Sequence, residues 1–374
     1  MGLGLFNKRV RLNLALQGGG AHGAFTWGVL DRLLEEERIE FGWVSGTSAG
    51  AVNAVVFAAG LSEGGRQTAR DMLSGIWHSV HKAGVPDLMR LNPFLYSISR
   101  LPAVAQMAGL LSPYEFNPLG FDPLRRLLSE HINFERLRKA DTMELLVSAT
   151  DIATGRARHF RRHELTVDCV LASACLPTIH HAVEIQGRAY WDGGFSANPD
   201  LVTMGKESPV EDTLLVQINP VAAEVVPTGV REISDRANTL TFNAPLLRDI
   251  EVIETARSMD RGWSLRPSTP MQKLARHRFH LIEAGRYTSV LKPDTKAQPD
   301  WGMLTYLHGA GRSEAGKWIE QHLGSVGRRS SLDLRARYFS EINTKWSPPD
   351  AAPQGAGTSS EIEAHGVPVA RQRA

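Results

Sequence analysis

The sequence predicts an α/β chain of three layers, with helices on both faces of a mostly parallel central sheet. Two strand–turn–helix junctions, and a third strand that ends on a glycine pair, carry this expectation. Apolar runs of strand length and helix length that alternate through glycine turns are the pattern of helical crossovers between sheet strands. Residues 11–16 form the first strand-like run, and Gly18-Gly19-Gly20-Ala21-His22-Gly23 leads from it into a helix over residues 24–34. Residues 41–45 are again short, apolar and β-prone. Gly46-Thr47-Ser48-Ala49-Gly50 follows them and opens an apolar helix that Gly60 closes. Residues 167–176 read as an apolar helix, and residues 183–191 as a strand-like run that ends at Asp192-Gly193-Gly194. Beyond residue 220 the pattern thins: 230–262 carries a broken apolar stripe of helical period, 278–283 alternates like a strand, and 311–323 reads as a helix. Residues 346–374 hold too few large apolar side chains to pack and are expected to be disordered. These shifts divide the chain into a lead over 1–10, a principal domain over 11–220, a mainly helical extension over 221–345 and the tail over 346–374.

The glycine motifs have chemical meanings that can be weighed against bland ones. In GxSxG a serine sits at the tip of a sharp strand-to-helix turn, where only small residues fit two places to either side, and Gly46 and Gly50 fill those places around Ser48. Alone, such a pentapeptide is better explained by an ordinary small-residue turn. The run Gly18 to Gly23 gathers unshielded amides at a helix start, a nest suited to an oxyanion or a phosphate. Its letters also satisfy GxGxxG. A dinucleotide fold, however, needs an acidic residue at the end of the next strand, where this chain has Gly46-Thr47-Ser48 and places Glu40 before the strand. The lysine of a GxxxxGK[ST] loop is missing too. An oxyanion cradle over Gly18, Gly19, Gly20 and Ala21 is therefore the reading that remains.

A serine needs a base. His180, His181, His277 and His280 stand in no catalytic setting, and only 47 residues precede Ser48, too few for the several strands that come before the elbow of an ordinary α/β-hydrolase. Asp192 ends a strand and is followed by Gly193 and Gly194, which let its carboxylate turn into a cleft. By itself this tripeptide reads as an Asx-turn; beside the other two motifs it reads as the base.

The order GGGxxG, GTSAG, DGG resembles the patatin-like phospholipases. Further matches are Ser148-Ala149-Thr150-Asp151-Ile152-Ala153-Thr154-Gly155, Ala172-Ser173-Ala174-Cys175-Leu176-Pro177 and Trp191-Asp192-Gly193-Gly194-Phe195-Ser196-Ala197-Asn198-Pro199, and the resemblance covers about residues 11 to 220. It implies the three-layer α/β/α fold of that family and hydrolysis of lipid acyl esters by a Ser-Asp dyad. Ser48 would be the nucleophile, Asp192 the general base, and Gly18 to Ala21 the oxyanion hole, with His22, Gly23, Gly46, Gly50, Gly193 and Gly194 as supporting motif positions. Many members carry arginine where this chain has His22, so recognition of a phosphate headgroup is less secure than ester hydrolysis itself. A hydrolase of small esters or thioesters, and a catalytically silent lipid-binding or regulatory protein, are the alternatives.

Composition fits such an enzyme and narrows its partners. With 42 basic and 40 acidic side chains, bulk charge selects no nucleic acid. Two cysteines in 374 residues, Cys169 and Cys175, give no disulfide framework and fit a reducing, cytoplasmic compartment. The pairs His78/His81, His159/His163 and His277/His280 lack the companions of a metal site and read as surface or packing histidines, so neither metal nor cofactor is expected. No uninterrupted apolar stretch of about 20 residues could span a membrane. Met1 to Phe6 lacks the Ser or Thr of a myristoylation signal, and the apolar run after it is too short for a signal peptide. Lipid access falls to residues 85–114, an apolar cap broken by prolines 86, 93, 102 and 113. That segment reads equally as a peripheral membrane or acyl contact and as simple packing on the core. The sequence leaves the oligomeric state open.

Overall fold

The computed structural model describes residues 9–83, 112–141, 143–223, 226–260, 267–291, 293–296 and 299–340. The cap over 85–114 falls outside them except for its last three residues, and the tail over 346–374 falls outside them entirely. Eight strands form one sheet: β1 (Val10–Leu16), β2 (Ile39–Thr47), β3 (Leu145–Asp151), β4 (Ala157–Arg161), β5 (Val183–Ile185), β6 (Arg188–Asp192), β7 (Asp212–Gln217) and β8 (Arg278–Glu283). Their order is β5-β6-β3-β2-β1-β7-β8, with β4 also paired to β3. The pairs from β3 through β2, β1 and β7 to β8 are parallel; β4, β5 and β6 join antiparallel. This is the mostly parallel sheet that the sequence predicts.

Side-chain alternation along the strands sorts the core into two layers. Leu14 and Leu16 of β1, with Leu214 and Val216 of β7, face a large cluster built from α1 (Ala24–Leu34), α2 (Ala49–Gly64), α3 (Arg66–Ala83), α4 (Val167–Ser173) and the long helix Trp301–His322. Ala15 and Leu215, between them, face a second cluster with Leu246, Ile250 and Ile253 of α5 (Val230–Met259) and Leu274 of α6 (Pro270–Arg276). The extension beyond residue 220 thus supplies an edge strand and helices on both faces of the same sheet.

Two local readings shift. The helix expected over 311–323 begins ten residues earlier and becomes α7 (Trp301–His322). Glycines at 302, 309 and 311 blur its apolar period, yet tertiary packing overrides propensity there, because Gly28 and Gly311 let α1 and α7 approach until a Cβ on either would strike the other helix's backbone. The strand-like run over 183–191 is a hairpin, folded between β5 and β6 at Gln186 and Gly187, both with positive φ (53° and 74°), as a two-residue primed turn requires.

Candidate active site

Ser48 follows the last residue of β2 and precedes α2 in a conformation rare for an L-residue, φ 55° and ψ −124°. Both flanking glycines are needed for it. A Cβ at Gly46 would stand 2.5 Å from the Gly50 carbonyl oxygen, and one at Gly50 would run into the carbonyl of Leu16. The Ser48 N–H donates to Ser173 Oγ at 3.0 Å, and its carbonyl accepts the N–H groups of Ala51 and Val52 in the first turn of α2.

The register of β3 explains how Asp192 comes to this serine. Ser148 of β3 pairs with Thr47, the last residue of β2, and the next residue, Ala149, pairs with Asp192, the last residue of β6. The opposite edge of β3 is taken by β4, so β2 and β6 lie along the same edge. They run in opposite directions and meet end to end, with the elbow leaving one end and the carboxylate leaving the other.

Asp192 has no exposed surface. Its N–H donates to the Cys175 carbonyl at 2.8 Å, its carbonyl accepts the Thr150 hydroxyl at 2.8 Å, and its Oδ1 accepts the Gly194 N–H at 2.7 Å. Burial pushes its carboxyl up to about 7, against the opposing pull of the Gly194 N–H and of the Ser48 side chain. Oδ2 has no hydrogen-bond partner, and the Ser48 side chain is near enough to oppose the effect of burial on this carboxyl. Gly193 is required for a separate reason: a Cβ there would strike the Ser148 carbonyl.

The glycine loop lies across from this pair. A Cβ at Gly18 would stand 2.8 Å from Ser48 Cβ. The amide of Gly18 donates to Asn198 Oδ1 at 2.8 Å, and its carbonyl accepts Asn219 Nδ2 at 3.0 Å, so this amide serves the scaffold and not a bound oxygen. Gly19, Gly20 and Ala21 lie at the start of the short turn Gly20–Gly23, where Gly20 takes φ +58°. Gly23 admits Ala49 and Trp77. His22 is buried, with Nε2 on Thr295 Oγ1 at 2.8 Å and Nδ1 without a partner. Burial, then the charge of Lys296, lowers its pKa to about 4, so it stands as a neutral imidazole and offers no charge to a phosphate.

The patatin-like phospholipase profile matches residues 14–203, just over half of the chain. The chain belongs to this family. No curated protein sequence matches it. Among solved structures it is similar to VipD from Legionella pneumophila, at 15% identity over 83% of this chain and 67% of VipD, with a TM-score of 0.38. It is similar also to the type III effector ExoU, at 17% identity over 84% of this chain and 54% of ExoU, with a TM-score of 0.31. The ExoU–SpcU complex from Pseudomonas aeruginosa matches at 18% identity over 72% of this chain and 58% of that one, with a TM-score of 0.27. The chain spans little more than half the length of ExoU.

Several side chains around the site of this patatin-like chain have contacts that the sequence does not show, even where, as at Asn198, they fall within a motif that carries the resemblance. Asn198, Asn219, Gln17 and Asn243 form one buried amide network: Gln17 Oε1 accepts the N–H groups of Ile218 and Asn219 at 2.7 and 2.8 Å, and Gln17 Nε2 donates to Asn243 Oδ1 at 3.1 Å. A lone buried amide looks like any other polar residue until the fold gathers its partners. Ser148, His159 and Asp200 line up as a second Ser-His-Asp series, with Ser148 Oγ 3.0 Å from His159 Nδ1, but Ser148 is wholly buried inside β3 and reaches no substrate. A cavity of about 190 Å³ opens beside Cys175, lined also by Phe121, Leu124, Leu171 and Ala174; neither Ser48, Asp192 nor the glycine loop lines it. Burial, then the charge of Asp192, pushes the Cys175 thiol up to about 12, which makes it a poor nucleophile. Among the described residues no group of three or more His, Cys, Asp or Glu could hold a metal ion, and no helix is long and apolar enough to cross a membrane.

Proposed function

We propose that this protein is a serine-dependent hydrolase of lipid carboxylic esters, working through Ser48 and Asp192 and an acyl-enzyme intermediate. Family membership supports lipid hydrolysis. The observation that carries the finer reading is the end-to-end meeting of β2 and β6 along β3, which brings a serine on a strained elbow against a buried carboxylate. A carboxylate is ordinarily too weak a base for a serine hydroxyl, and a carboxyl near pKa 7 is much better matched to the task. Asp192 would take the Ser48 proton as Oγ attacks the ester carbonyl, and the amides of Gly19 to Ala21 would hold the oxyanion. The proton then passes to the leaving alcohol or lysophospholipid. Water, activated by the same carboxylate, releases the fatty acid and restores the serine. The scheme calls for neither metal nor cofactor.

Full-length protein and Ser48→Ala, assayed on p-nitrophenyl esters from short to long acyl chains and on mixed phospholipid vesicles, test this reading. Turnover by the wild type alone supports it. A preference for the shortest esters with no vesicle hydrolysis would move the substrate to small esters. Vesicle binding without turnover by either protein would favour a silent lipid-binding protein.

A further inference from the structure

The helix α5 lies beyond the family match, and one of its turns touches both halves of the site. The Phe242 ring packs on Gly194, where any Cβ would collide with it, and its centroid is 4.9 Å from that of Phe195. Gly194 is the residue whose N–H holds Asp192 Oδ1. The Phe242 carbonyl accepts Asn198 Nδ2 at 2.9 Å, and Asn198 Oδ1 in turn takes the Gly18 N–H. The next residue, Asn243, donates to the Pro220 carbonyl at 2.9 Å and accepts from Gln17. Pro245 has no N–H to give the Thr241 carbonyl, so the helical ladder is interrupted at this turn. We infer that Phe242 is a positioning residue of the active site, its ring shielding Asp192 from water while its carbonyl ties the base loop to the glycine loop.

The inference rests on Asp192 being the base. Burial dominates the rise of that carboxyl, and no charged neighbour contributes to it. The titratable groups near the base loop are occupied elsewhere. Cys175 is a neutral thiol, Arg248 donates to the Ser196 carbonyl, and Asp249 accepts the amides of Leu201 and Val202. His159 sits on Ser148 beside Asp200, Asp151 pairs with Arg188, and His22 and Lys296 lie on the glycine-loop side with Thr295 and Asn219. The apolar cover is therefore what holds the carboxyl up, and Phe242, half-buried like its ring partner Phe195, is a part of it that reaches solvent.

The test uses full-length protein and p-nitrophenyl butyrate, with kcat and KM followed across pH for wild type, Phe242→Ala and Phe242→Leu. Because kcat/KM reports the free enzyme's base, hydrating Asp192 should move the acid limb of Phe242→Ala to lower pH by about one unit and lower kcat by roughly tenfold with KM little changed. Phe242→Leu should restore the limb. If the alanine variant does not fold, Phe242→Gln keeps the bulk while admitting polarity, and the same downward shift is expected. A drop in kcat with the limb unmoved in the folded variant, or no restoration by leucine, overturns the inference. Failure of the underlying reading looks different: Asp192→Asn would then turn over as fast as the wild type.

Discussion

The turn that carries Ser48 and the loop that carries Asp192 are built by opposite means. Ser48 is held mainly by its immediate neighbours, two glycines within two residues and the first turn of α2, with one hydroxyl brought in from Ser173, 125 residues on. Asp192, besides the Gly194 N–H two residues on, is held by residues scattered over the chain: Thr150 and Cys175 bond its backbone, and Phe242 packs on Gly194. One half of the site is specified by local backbone geometry and the other by tertiary packing. Changes near Ser48 should therefore act all at once, and changes around Asp192 by degrees.

The largest effects come from the reacting groups themselves. Ser48→Ala and Asp192→Asn should each cost about 10⁴-fold in kcat/KM on a p-nitrophenyl ester, by analogy with removal of members of a catalytic triad, while circular dichroism stays native. Survival of activity in either folded variant breaks the comparison at its root. Gly50→Ala comes next, because its Cβ meets the fixed carbonyl of Leu16. Loss of the cooperative melt, or a fall in stability of about 2–4 kcal/mol, is expected, and a wild-type melting curve would show that the elbow tolerates what its geometry forbids.

Acidity sharpens the other half. With Asp192 near 7, kcat/KM should climb as pH rises through about 7 and level off above it. The same shift has a stability consequence of definite sign. The folded protein keeps a proton on Asp192 up to about 7, whereas the unfolded chain releases it near 3.8, so this stabilisation is complete below the lower value and is lost as pH rises to the higher one. Asp249, raised to about 7 by burial and then by the charge of Asp200, behaves alike. Thermal melts of Asp249→Asn should thus gain on wild type as pH goes from 4 to 8; a constant difference would show that the carboxyl is ionised throughout. The smallest effect is expected at His22. As a neutral imidazole it cannot select an anionic headgroup, and His22→Asn should change the ratio of anionic to neutral phospholipid hydrolysis by less than about twofold.

Much of this was legible in the sequence, but unevenly. The positions of Gly46, Ser48 and Gly50 at a strand-to-helix turn could be read directly, because a backbone that excludes side chains leaves glycine in the sequence as its record. The parallel order of strands follows from the alternation of runs. The hairpin at Gln186 and Gly187 was hidden because glutamine does not announce a positive φ. The first ten residues of α7 were hidden because Gly302 and Gly309 read as breaks, although neither is pressed against a neighbouring helix. The roles of Phe242 and Asn243 gave nothing away, since an aromatic on an apolar stripe or a lone amide takes its meaning from partners far along the chain: Asn198 lies 44 residues from Phe242, and Gln17 lies 226 from Asn243. The sequence marks His22 as a weaker phosphate ligand than arginine, and burial, which one sequence does not display, lowers its charge further.

The head-on meeting of β2 and β6 also restricts how this chain can change length. A strand advances about 3.3 Å per residue and turns its side chains over at each step. One residue inserted into either strand would push the serine past the carboxylate or carry it to the other face of the sheet. Neither slip can be absorbed at the junction, because the two strand ends already face each other with no chain between them. Insertions and deletions should therefore be tolerated in the crossovers and the outer loops, while the distance counted back along β3 from Ser148 and Ala149 stays fixed, as on a ruler.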